Sequence, residues 1–336
     1  MKVVVLGCGF HGRGIAYQLA GSVDVRVLDR DEARAAHVGD KAGVPWETVE
    51  VTDGDALRAA LRGADAVVNA VGPYHLTALG VIEAALDLGI HYVDMNDDHE
   101  VAEAVLLDLS WEERARGAGV TVLLDCGVVP GLSGLLVRHA ADQLGAVERV
   151  AVRFAWNYSH EYPAALEHFL RINSGEGPQL LDGELVRMEP FAGREDAGFG
   201  EPIYFTGIPD PVAIARFLPD VREATAKGAF YQAEANRLLE ELIRSGATAP
   251  QWPEIPRREV PLVVRVEVEG PAGTLVYEAF DHSRRASTAF TALAALAVVR
   301  GELGPGVWTP EAWPSAEVFL RELLADPAVE VRPAVP

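Results

Sequence analysis

From the N-terminus to about residue 125, short apolar runs alternate with longer stretches whose apolar residues recur with helical spacing. Runs such as 66–70 do not alternate with polar positions, which is typical of strands that helices cover on both faces. Each intervening stretch has the length of a helical crossover between parallel strands. The pattern predicts an α/β fold with a doubly wound parallel sheet of the Rossmann type. The predicted strands are 3–6, 23–28, 46–51, 66–70, 91–94 and 120–124, and the predicted helices include 55–62, 77–88 and 99–116.

Beyond about residue 147, short runs alternate between apolar and polar positions. Such strands place one face on a core and the other towards solvent, so we expect a mostly antiparallel sheet in a second, α+β domain. The segment Leu181-Asp182-Gly183-Glu184 predicts a hairpin. The apolar helix predicted at 285–300 is expected to return to the first domain. The predicted domains are 1–130 for dinucleotide binding, 131–282 for substrate binding and dimerisation, and 283–336 for C-terminal helices.

Composition and charge narrow the possible functions. The 336 residues carry a net charge of -21, which repels nucleic acid and anionic membranes, so neither is an expected partner. No apolar run has the length of a membrane span, and Met1-Lys2 leads directly into a strand without a signal peptide. Cys8 and Cys126 lack the spaced companions of a disulfide framework or a zinc site, so we expect no metal. We expect a cytoplasmic protein, and the exposed second sheet favours a homodimer.

A glycine pattern, Gly7-Cys8-Gly9-Phe10-His11-Gly12, follows the first predicted strand and opens a helix. The first glycine permits a tight turn, the second admits a pyrophosphate close to the backbone, and the third allows close helix packing. The next strand ends in Asp29, at the spacing of the acid that binds dinucleotide ribose hydroxyls. This acid predicts NAD rather than NADP, although Arg30 could pair with a 2′-phosphate or stack on adenine. The alternative is a strand-turn-helix whose glycines serve packing alone.

Several further segments resemble the saccharopine dehydrogenase family, in its short bacterial and archaeal branch that includes lysine 6-dehydrogenase. The matching segments are Val51-Thr52-Asp53, Asn69-Ala70-Val71-Gly72-Pro73-Tyr74, Gly89-Ile90-His91-Tyr92-Val93-Asp94, 125–133, Asp210-Pro211-Val212, 221–225 and 306–311. The resemblance covers most of the chain but is thin over 157–200. It implies a nicotinamide-dependent enzyme that oxidises an amine or amino acid to an imine, or that catalyses the reverse reaction.

The resemblance also implies roles for individual residues. In the glycine-rich turn, the implied pyrophosphate ligands are Gly7, Gly9, Phe10, His11 and Gly12. Asp29 and Arg30 would bind the adenosine ribose, and Asp53 would lie in the adenine region. The segment Asn69-Ala70-Val71-Gly72-Pro73 would pass the nicotinamide. The sequence departs from the family pattern at Asn96, where relatives often carry a small residue.

Candidate catalytic residues follow the later strands of the predicted parallel sheet. Tyr74 and His75 come after the fourth strand, where the reactive ring of a cofactor should lie. An amine must be neutral when hydride leaves, and His75, with an ordinary pKa of about 6.5, is the first candidate for the base; it could also cap the following helix. Asp94 could bind a substrate ammonium group or cap the next helix. Asp125, which could instead support the turn after it, and Asn96 are expected to contact substrate.

A substrate carboxylate would favour a guanidinium partner. Arg284 and Arg285, at the start of the apolar helix, are preferred for this role over Arg153 and Arg171. Lys227 is the lysine best placed for Schiff-base or general-base chemistry.

Three other functions are compatible with the same sequence features. An opine-type reductase would join an amino acid to an oxo compound and would need a longer groove with two carboxylate anchors. An aminoalkyl transferase resembling homospermidine synthase would hold NAD without net redox change. A non-catalytic dinucleotide-binding regulator is the third possibility, because the fold alone does not determine the function.

Overall fold

The computed structural model describes residues 1–247 and 251–335, which divide into two compact units. The first unit contains Met1–Leu132 and Arg285–Asp326. The second contains Ser133–Arg284 and the residues from Pro327 onward. None of the helices in the described ranges combines the length and the hydrophobicity that a bilayer crossing requires.

Strands and helices alternate through the first 123 residues. They are β1 (Lys2–Leu6), α1 (Phe10–Leu19), β2 (Asp24–Asp29), α2 (Glu32–Ala42), β3 (Trp46–Thr48), α3 (Gly54–Leu61), β4 (Ala66–Asn69), α4 (Tyr74–Leu88), β5 (His91–Asp94), α5 (His99–Leu106), α6 (Leu109–Ala118) and β6 (Thr121–Leu123).

The remaining elements complete the chain in mixed order. They are α7 (Leu132–Leu144), β7 (Arg149–Trp156), α8 (Pro163–Ile172), β8 (Gly177–Leu181), β9 (Glu184–Met188), β10 (Tyr204–Phe205), α9 (Asp210–Phe217), β11 (Glu223–Phe230), α10 (Ala233–Ser245), β12 (Leu262–Gly270), β13 (Gly273–Asp281), α11 (Ala286–Val299), β14 (Gly306–Trp308), a 3₁₀ helix (Pro310–Ala312), α12 (Ala316–Leu323) and β15 (Val329–Ala334).

The first unit is built on a parallel sheet. Seven strands of the described residues lie in the order β14-β6-β5-β4-β1-β2-β3. Strand β4 is buried along its whole length, as expected of a strand covered on both faces. The chain winds away in opposite directions on either side of β1 and β4, and such a switch point opens a crevice at the carboxyl ends of the strands. The predicted α/β fold with a doubly wound parallel sheet is confirmed.

Helix α11 belongs to the first unit and packs against α1. Their close approach depends on Gly14, because a Cβ there would lie 2.8 Å from the Cγ2 atom of Thr288. The Gln18 side chain donates a hydrogen bond to the Thr288 hydroxyl at 3.0 Å. The Thr291 hydroxyl donates to the Cys126 carbonyl at 2.6 Å. Helix α11 therefore holds the loop after β6 against the body of the first unit.

The second unit contains a mostly antiparallel sheet. Its eight described strands run in the order β15-β13-β12-β7-β11-β8-β9, with β10 beside β11. All neighbouring strands are antiparallel except β7 and β11. The predicted hairpin joins β8 to β9, and its two turn residues, Asp182 and Gly183, have positive φ angles of 52° and 85°.

Two helix boundaries differ from the sequence prediction. The helix predicted over 99–116 is two helices, α5 and α6, because the Asp108 carboxylate caps the second by accepting a hydrogen bond from the Ser110 amide at 2.9 Å. Helix α4 begins at Tyr74 rather than at Thr77. Tyr74 and His75 therefore lie in its first turn instead of in the preceding loop.

The C-terminal segment also differs from the prediction. Residues 283–336 were expected to form helices that return to the first domain, but this segment also supplies β14 to the parallel sheet and β15 to the antiparallel sheet. Strand β15 pairs with β13, and the residues from Pro327 onward belong to the second unit. Of this predicted segment, Pro336 lies outside the described residues.

Candidate active site

The turn between β1 and α1 has the geometry that its glycines predict. Gly7 has a φ of 91°, and its amide donates to the Leu28 carbonyl at 2.7 Å. A Cβ on Gly12 would overlap the Gly7 carbonyl oxygen, whereas a Cβ on Gly9 would meet no described atom within 4 Å. No side chain caps α1 at Gly9, and its first turn carries no acidic residue, so the positive end of the helix is open to an anion. The turn fits a pyrophosphate.

Phe10 and His11 form the start of α1, with ring centroids 5.2 Å apart in an edge-on arrangement. Both side chains keep part of their surface exposed. Desolvation by neighbouring atoms lowers the pKa of His11, and the carboxylate of Asp97 opposes this shift. The loop after β5, which carries Asp97, therefore lies within electrostatic reach of the glycine-rich turn.

Asp29 ends β2 beside the same turn. Its carboxylate accepts hydrogen bonds from the Cys8 amide at 2.6 Å and from the Asp31 amide at 2.9 Å. These bonds hold a negative group next to the open helix end, where it suits ribose hydroxyls and repels a 2′-phosphate. Arg30 is exposed. Asp53 caps α3 by accepting from the Asp55 and Ala56 amides, so its described contacts are those of a helix cap.

The segment after β4 lies against the glycine-rich turn, because a Cβ on Gly7 would come within 2.9 Å of the Ala70 carbonyl oxygen. The Asn69 side-chain oxygen accepts from the Val71 amide at 3.1 Å. The Thr77 hydroxyl donates to the Val71 carbonyl at 2.7 Å. Gly72 and Pro73 follow, and Pro73 occupies the N-cap position of α4. Hydrogen bonds from both sides thus hold this segment at the switch point of the sheet.

Tyr74 and His75 have different surroundings. Tyr74 is buried, and burial followed by the charges of the nearby carboxylates, including Asp94, raises its pKa well above the ordinary value. It therefore remains protonated and can donate a hydrogen bond but cannot act as a base at neutral pH. The His75 side chain is 27% exposed, and its Nδ1 atom lies 3.6 Å from the buried Asp98 carboxylate. The expectation that His75 caps the helix is wrong, because Pro73 is the N-cap residue.

Asp94 is buried at the end of β5. Its carboxylate accepts from the Tyr92 hydroxyl at 2.8 Å, the Asn96 amide at 3.1 Å and the Asp125 amide at 2.9 Å. Burial raises the pKa of Asp94 to about 6, although these hydrogen bonds act in the opposite direction. Asp94 does not cap the following helix, because the Asp98 carboxylate performs that role for α5.

Asn96 and Asp125 meet across the ends of β5 and β6. The Asn96 side chain donates to the Asp98 carbonyl and to the Asp125 carboxylate, both at 3.1 Å. Asp125 is fully buried, with a φ of 65°. Asp94, Asn96 and Asp125 therefore form one buried polar cluster at neighbouring strand ends.

Two buried residues of this region are absent from the sequence-predicted site. Tyr92 lies two positions before Asp94, so both side chains point to the same side of β5. This two-residue spacing could have indicated Tyr92 as a neighbour of Asp94. Glu311 is 1% exposed after β14, and its charge acts on the buried thiol of Cys126. Glu311 ends the matching segment 306–311, but the sequence did not indicate its position beside Cys126, which depends on the pairing of β14 with β6.

The candidate basic residues are distributed between the units. Arg285 is exposed in the first unit, 3.4 Å from the Asp326 carboxylate. Arg284 lies in the second unit with its guanidinium 4.7 Å from the centre of the Tyr162 ring. Arg171 lies in the last turn of α8. Arg153 and Lys227 are close together, because both bind the carboxylate of Glu195 at 2.5 Å.

No group of three or more His, Cys, Asp or Glu side chains is arranged to hold a metal ion within residues 1–247 and 251–335. Cys8 and Cys126 are buried free thiols. Burial raises the pKa of Cys8 to about 12 and that of Cys126 well above its ordinary value. Neither sulfur is a thiolate at neutral pH, so nucleophilic cysteine chemistry is disfavoured.

Residues 3–123 match the family described as the saccharopine dehydrogenase NADP binding domain. The match covers the glycine-rich turn, Asp29 and the strand-end residues through Asp94, and it confirms the resemblance for the motifs that lie within residues 3–123.

A known protein also matches a longer part of the chain than residues 3–123. Carboxyaminopropylagmatine dehydrogenase of Synechocystis sp. is 22% identical over 259 residues, 70% of this chain. The aligned part spans 64% of that relative, less than two thirds of its length.

Two solved structures share the fold of the chain. Saccharopine dehydrogenase (L-Glu forming) from Saccharomyces cerevisiae matches 99% of this chain and 100% of its own, with 16% identity and a TM-score of 0.71. Homospermidine synthase from Legionella pneumophila, in complex with NAD, matches 99% of this chain and 91% of its own, with 15% identity and a TM-score of 0.68.

Proposed function

We propose that this chain is an oxidoreductase that uses a nicotinamide dinucleotide to oxidise the C–N bond of an amine or amino acid, or to form it in reverse. The observation that carries the proposal is the uncapped N-terminus of α1, with open space at Gly9 and the Asp29 carboxylate beside it. The matches to a saccharopine dehydrogenase NADP binding domain and to a carboxyaminopropylagmatine dehydrogenase support chemistry at a C–N bond.

Different residues of the first unit bind different parts of the proposed cofactor. Gly7, Gly9 and Gly12, with the backbone of Phe10 and His11, hold the pyrophosphate, and Asp29 binds the ribose next to adenine. Asn69-Ala70-Val71-Gly72-Pro73 lies along the nicotinamide half. When bound, the nicotinamide ring accepts or returns the hydride.

The residues that follow β4 and β5 carry out the proposed proton transfer. His75 takes the proton that a substrate ammonium must lose, and the Asp98 carboxylate 3.6 Å away stabilises the positive charge that the ring acquires. Tyr74 stays protonated and donates a hydrogen bond. Asp94 and Asp125 supply negative charge that favours a cationic amine.

The substrate class is an amine or amino acid of the kind that lysine 6-dehydrogenase oxidises. Asn96 and Asp125 are the proposed contacts on the first unit, and Arg284 and Arg285 are the proposed partners of a carboxylate. The second candidate is aminoalkyl transfer with retained NAD, and the support for it is the fold shared with a homospermidine synthase in complex with NAD.

A coupled assay tests the proposal. Purified protein is mixed with NAD and a panel of diamines, lysine-like amino acids and cyclic imines, and NADH absorbance is followed. We expect turnover of at least one compound, and His75→Gln should lower kcat by about 100-fold or more while dinucleotide affinity changes little. Retained NAD with product but no NADH would favour aminoalkyl transfer. The absence of calorimetric heat with every oxidised or reduced dinucleotide would contradict both functions.

We further propose that this chain prefers NAD to NADP, although the matching family is described as an NADP binding domain. The support is the Asp29 carboxylate, which the Cys8 and Asp31 amides hold in place next to the glycine-rich turn. Titration with both dinucleotides tests this preference. Asp29→Ala should reduce the preference for NAD, and tighter binding of NADP to the unaltered chain would overturn it.

The chain is also proposed to form a homodimer and to function in the cytoplasm. Free, buried cysteines are typical of a reducing compartment, and the second sheet offers a broad face for a symmetric contact. Light scattering of the purified chain measures the oligomeric state directly.

A further inference from the structure

A continuous hydrogen-bond path crosses the ends of three neighbouring strands in the first unit. The Val71 amide donates to the side-chain oxygen of Asn69, and the side-chain nitrogen of Asn69 donates to the Tyr92 hydroxyl at 3.2 Å. The Tyr92 hydroxyl donates in turn to Asp94 at 2.8 Å. Asp94 accepts from the amides of Asn96 and Asp125.

The path depends on strand register. Asn69 and Asp94 are direct partners in the parallel pairing of β4 with β5. Tyr92 lies two residues before Asp94, so both side chains point to the same side of β5. The tyrosine hydroxyl is thereby the one atom on this path that touches side chains from both strands.

Burial makes this hydroxyl hard to replace. Tyr92, Asn69 and Asp94 are each 0% exposed. Removing the hydroxyl leaves the Asn69 side-chain nitrogen without this acceptor and the Asp94 carboxylate without this donor. Because the three residues are buried, water cannot replace either hydrogen bond. Buried polar groups that lose a partner keep their full desolvation cost, so the surrounding loops must shift to recover a contact.

We propose that Tyr92 is a positioning residue: its hydroxyl fixes the loop after β4, proposed to lie along the nicotinamide, relative to the loops after β5 and β6, proposed to contact substrate. The expected effect on turnover rests on the proposed function. The role of the hydroxyl in holding the loops together does not depend on that function. Displacement of reacting groups by about 1 Å can cost about 100-fold in rate, so the hydroxyl controls turnover without touching substrate.

Tyr92→Phe tests the proposal, because it removes one oxygen and keeps the ring. We expect kcat to fall by about 10-fold to 100-fold, with KM and dinucleotide affinity each changing by less than about threefold. Tyr17→Phe is the control in the same unit, since the Tyr17 hydroxyl has no hydrogen-bond partner among the described residues. Tyr158→Phe is the control for loss of one bond, because that hydroxyl donates to the Pro253 carbonyl at 2.7 Å in the second unit.

Amide hydrogen exchange separates this proposal from the proposed reaction. Without any substrate, Tyr92→Phe should increase exchange at Val71, Asn96 and Asp125 by about tenfold or more, while the Cys8 amide, held by Asp29, should be unchanged. If these three amides exchange at the same rate as in the unaltered chain, the proposal is overturned regardless of the measured turnover. If they exchange faster but the unaltered chain shows no turnover, the proposed function fails and the positioning role stands.

The pH profile supplies a readout that general destabilisation would not move. The Tyr92 hydrogen bond lowers the pKa of Asp94, so its removal should shift a limb governed by Asp94 to higher pH. Among the neighbouring titratable groups, Asp97 raises the pKa of Asp94, and the charge of Asp94 raises the pKa of Tyr74 and of Cys126. Asp125 and Glu311 also raise the pKa of Cys126. Both control variants should keep the profile of the unaltered chain. A Tyr92→Phe loss of kcat equal to that of Tyr158→Phe, with an unshifted profile, would overturn the inference.

Discussion

The two sheets of this chain use their polar residues in different ways. In the parallel sheet, polar side chains lie at strand ends. Asn69 and Asp94 are fully buried and accept hydrogen bonds from backbone amides, and the buried Asp125 carboxylate accepts one from the Asn96 side chain. In the antiparallel sheet, charged side chains lie along a strand face. Arg153 of β7 forms an ion pair with Glu195, which lies between β9 and β10, and the two side chains are 23% and 31% exposed.

The polar residues of the parallel sheet hold candidate site loops in place, whereas the charged residues at the antiparallel sheet neutralise one another. Arg153 and Lys227 were candidates for a carboxylate anchor and a reactive lysine, but Glu195 binds both. Burial alone would raise the pKa of Glu195, yet hydrogen bonds from Lys227 and Arg153 outweigh it and lower that pKa. A basic residue already paired in this way is a weaker candidate for recognising substrate.

The largest expected effect lies in the glycine-rich turn. Gly12→Ala places a methyl group on the Gly7 carbonyl oxygen, so the turn must distort. We expect dinucleotide affinity to fall by about 100-fold or more, together with a loss of stability of about 1–3 kcal/mol. Calorimetric titration with NAD and thermal unfolding measure the two effects.

Gly9→Ala is the matched control for that variant. Its methyl group meets no described atom within 4 Å, so stability should change little, but it occupies space proposed for the pyrophosphate. We expect a reduction in affinity of about tenfold with an unchanged Tm. Full dinucleotide binding by both glycine variants would remove the turn from the proposed site.

The next effect concerns the buried charge of Asp94. Its pKa is about 6 in the folded chain, against about 3.9 in an unfolded one, so the folded state binds more protons between these values. Stability attributable to Asp94 is therefore greatest at low pH and falls as pH rises through 6, by a total of about 3 kcal/mol.

Urea unfolding of the unaltered chain and of Asp94→Asn between pH 5 and pH 7.5 isolates this contribution. Relative to the variant, the unaltered chain should lose stability as pH rises, and the difference should level off above about pH 7. Asp210, whose buried carboxylate also has a pKa of about 6, is common to both proteins and cancels in the difference. Parallel profiles for the two proteins would contradict the assignment.

Local patterns were sufficient to predict the parallel sheet and the glycine-rich turn. A run of apolar residues, three glycines and Asp29 lie within 30 residues, and their spacing alone defines a strand, a turn and a helix. Because ligands bind at the carboxyl ends of parallel strands, the sequence also indicated Asp94 and Asp125 as candidate site residues before any side-chain contact was known.

Contacts between distant segments could not be predicted in the same way. The bond between Asn69 and Tyr92 requires the register of two strands, and Glu311 reaches Cys126 only because β14 joins the sheet from the far end of the chain. The sequence pattern also did not indicate which carboxylates would cap helices. Asp53 and Asp108 cap helices, and single carboxylates of this kind decide where a helix begins.

The smallest expected effect lies on the face of the second sheet. Glu195→Gln removes the shared partner of Arg153 and Lys227, but partly exposed ion pairs contribute only about 0–1 kcal/mol. Because the folded pKa of Glu195 is lowered, its contribution is present above the unfolded pKa and is lost as pH falls through the folded value, opposite in sign to Asp94. We expect a slight loss of stability at pH 7 that disappears at low pH, with unchanged NAD affinity by calorimetry. A marked loss of dinucleotide binding would show that this charged face takes part in the site after all, and the contrast between the two sheets would no longer hold.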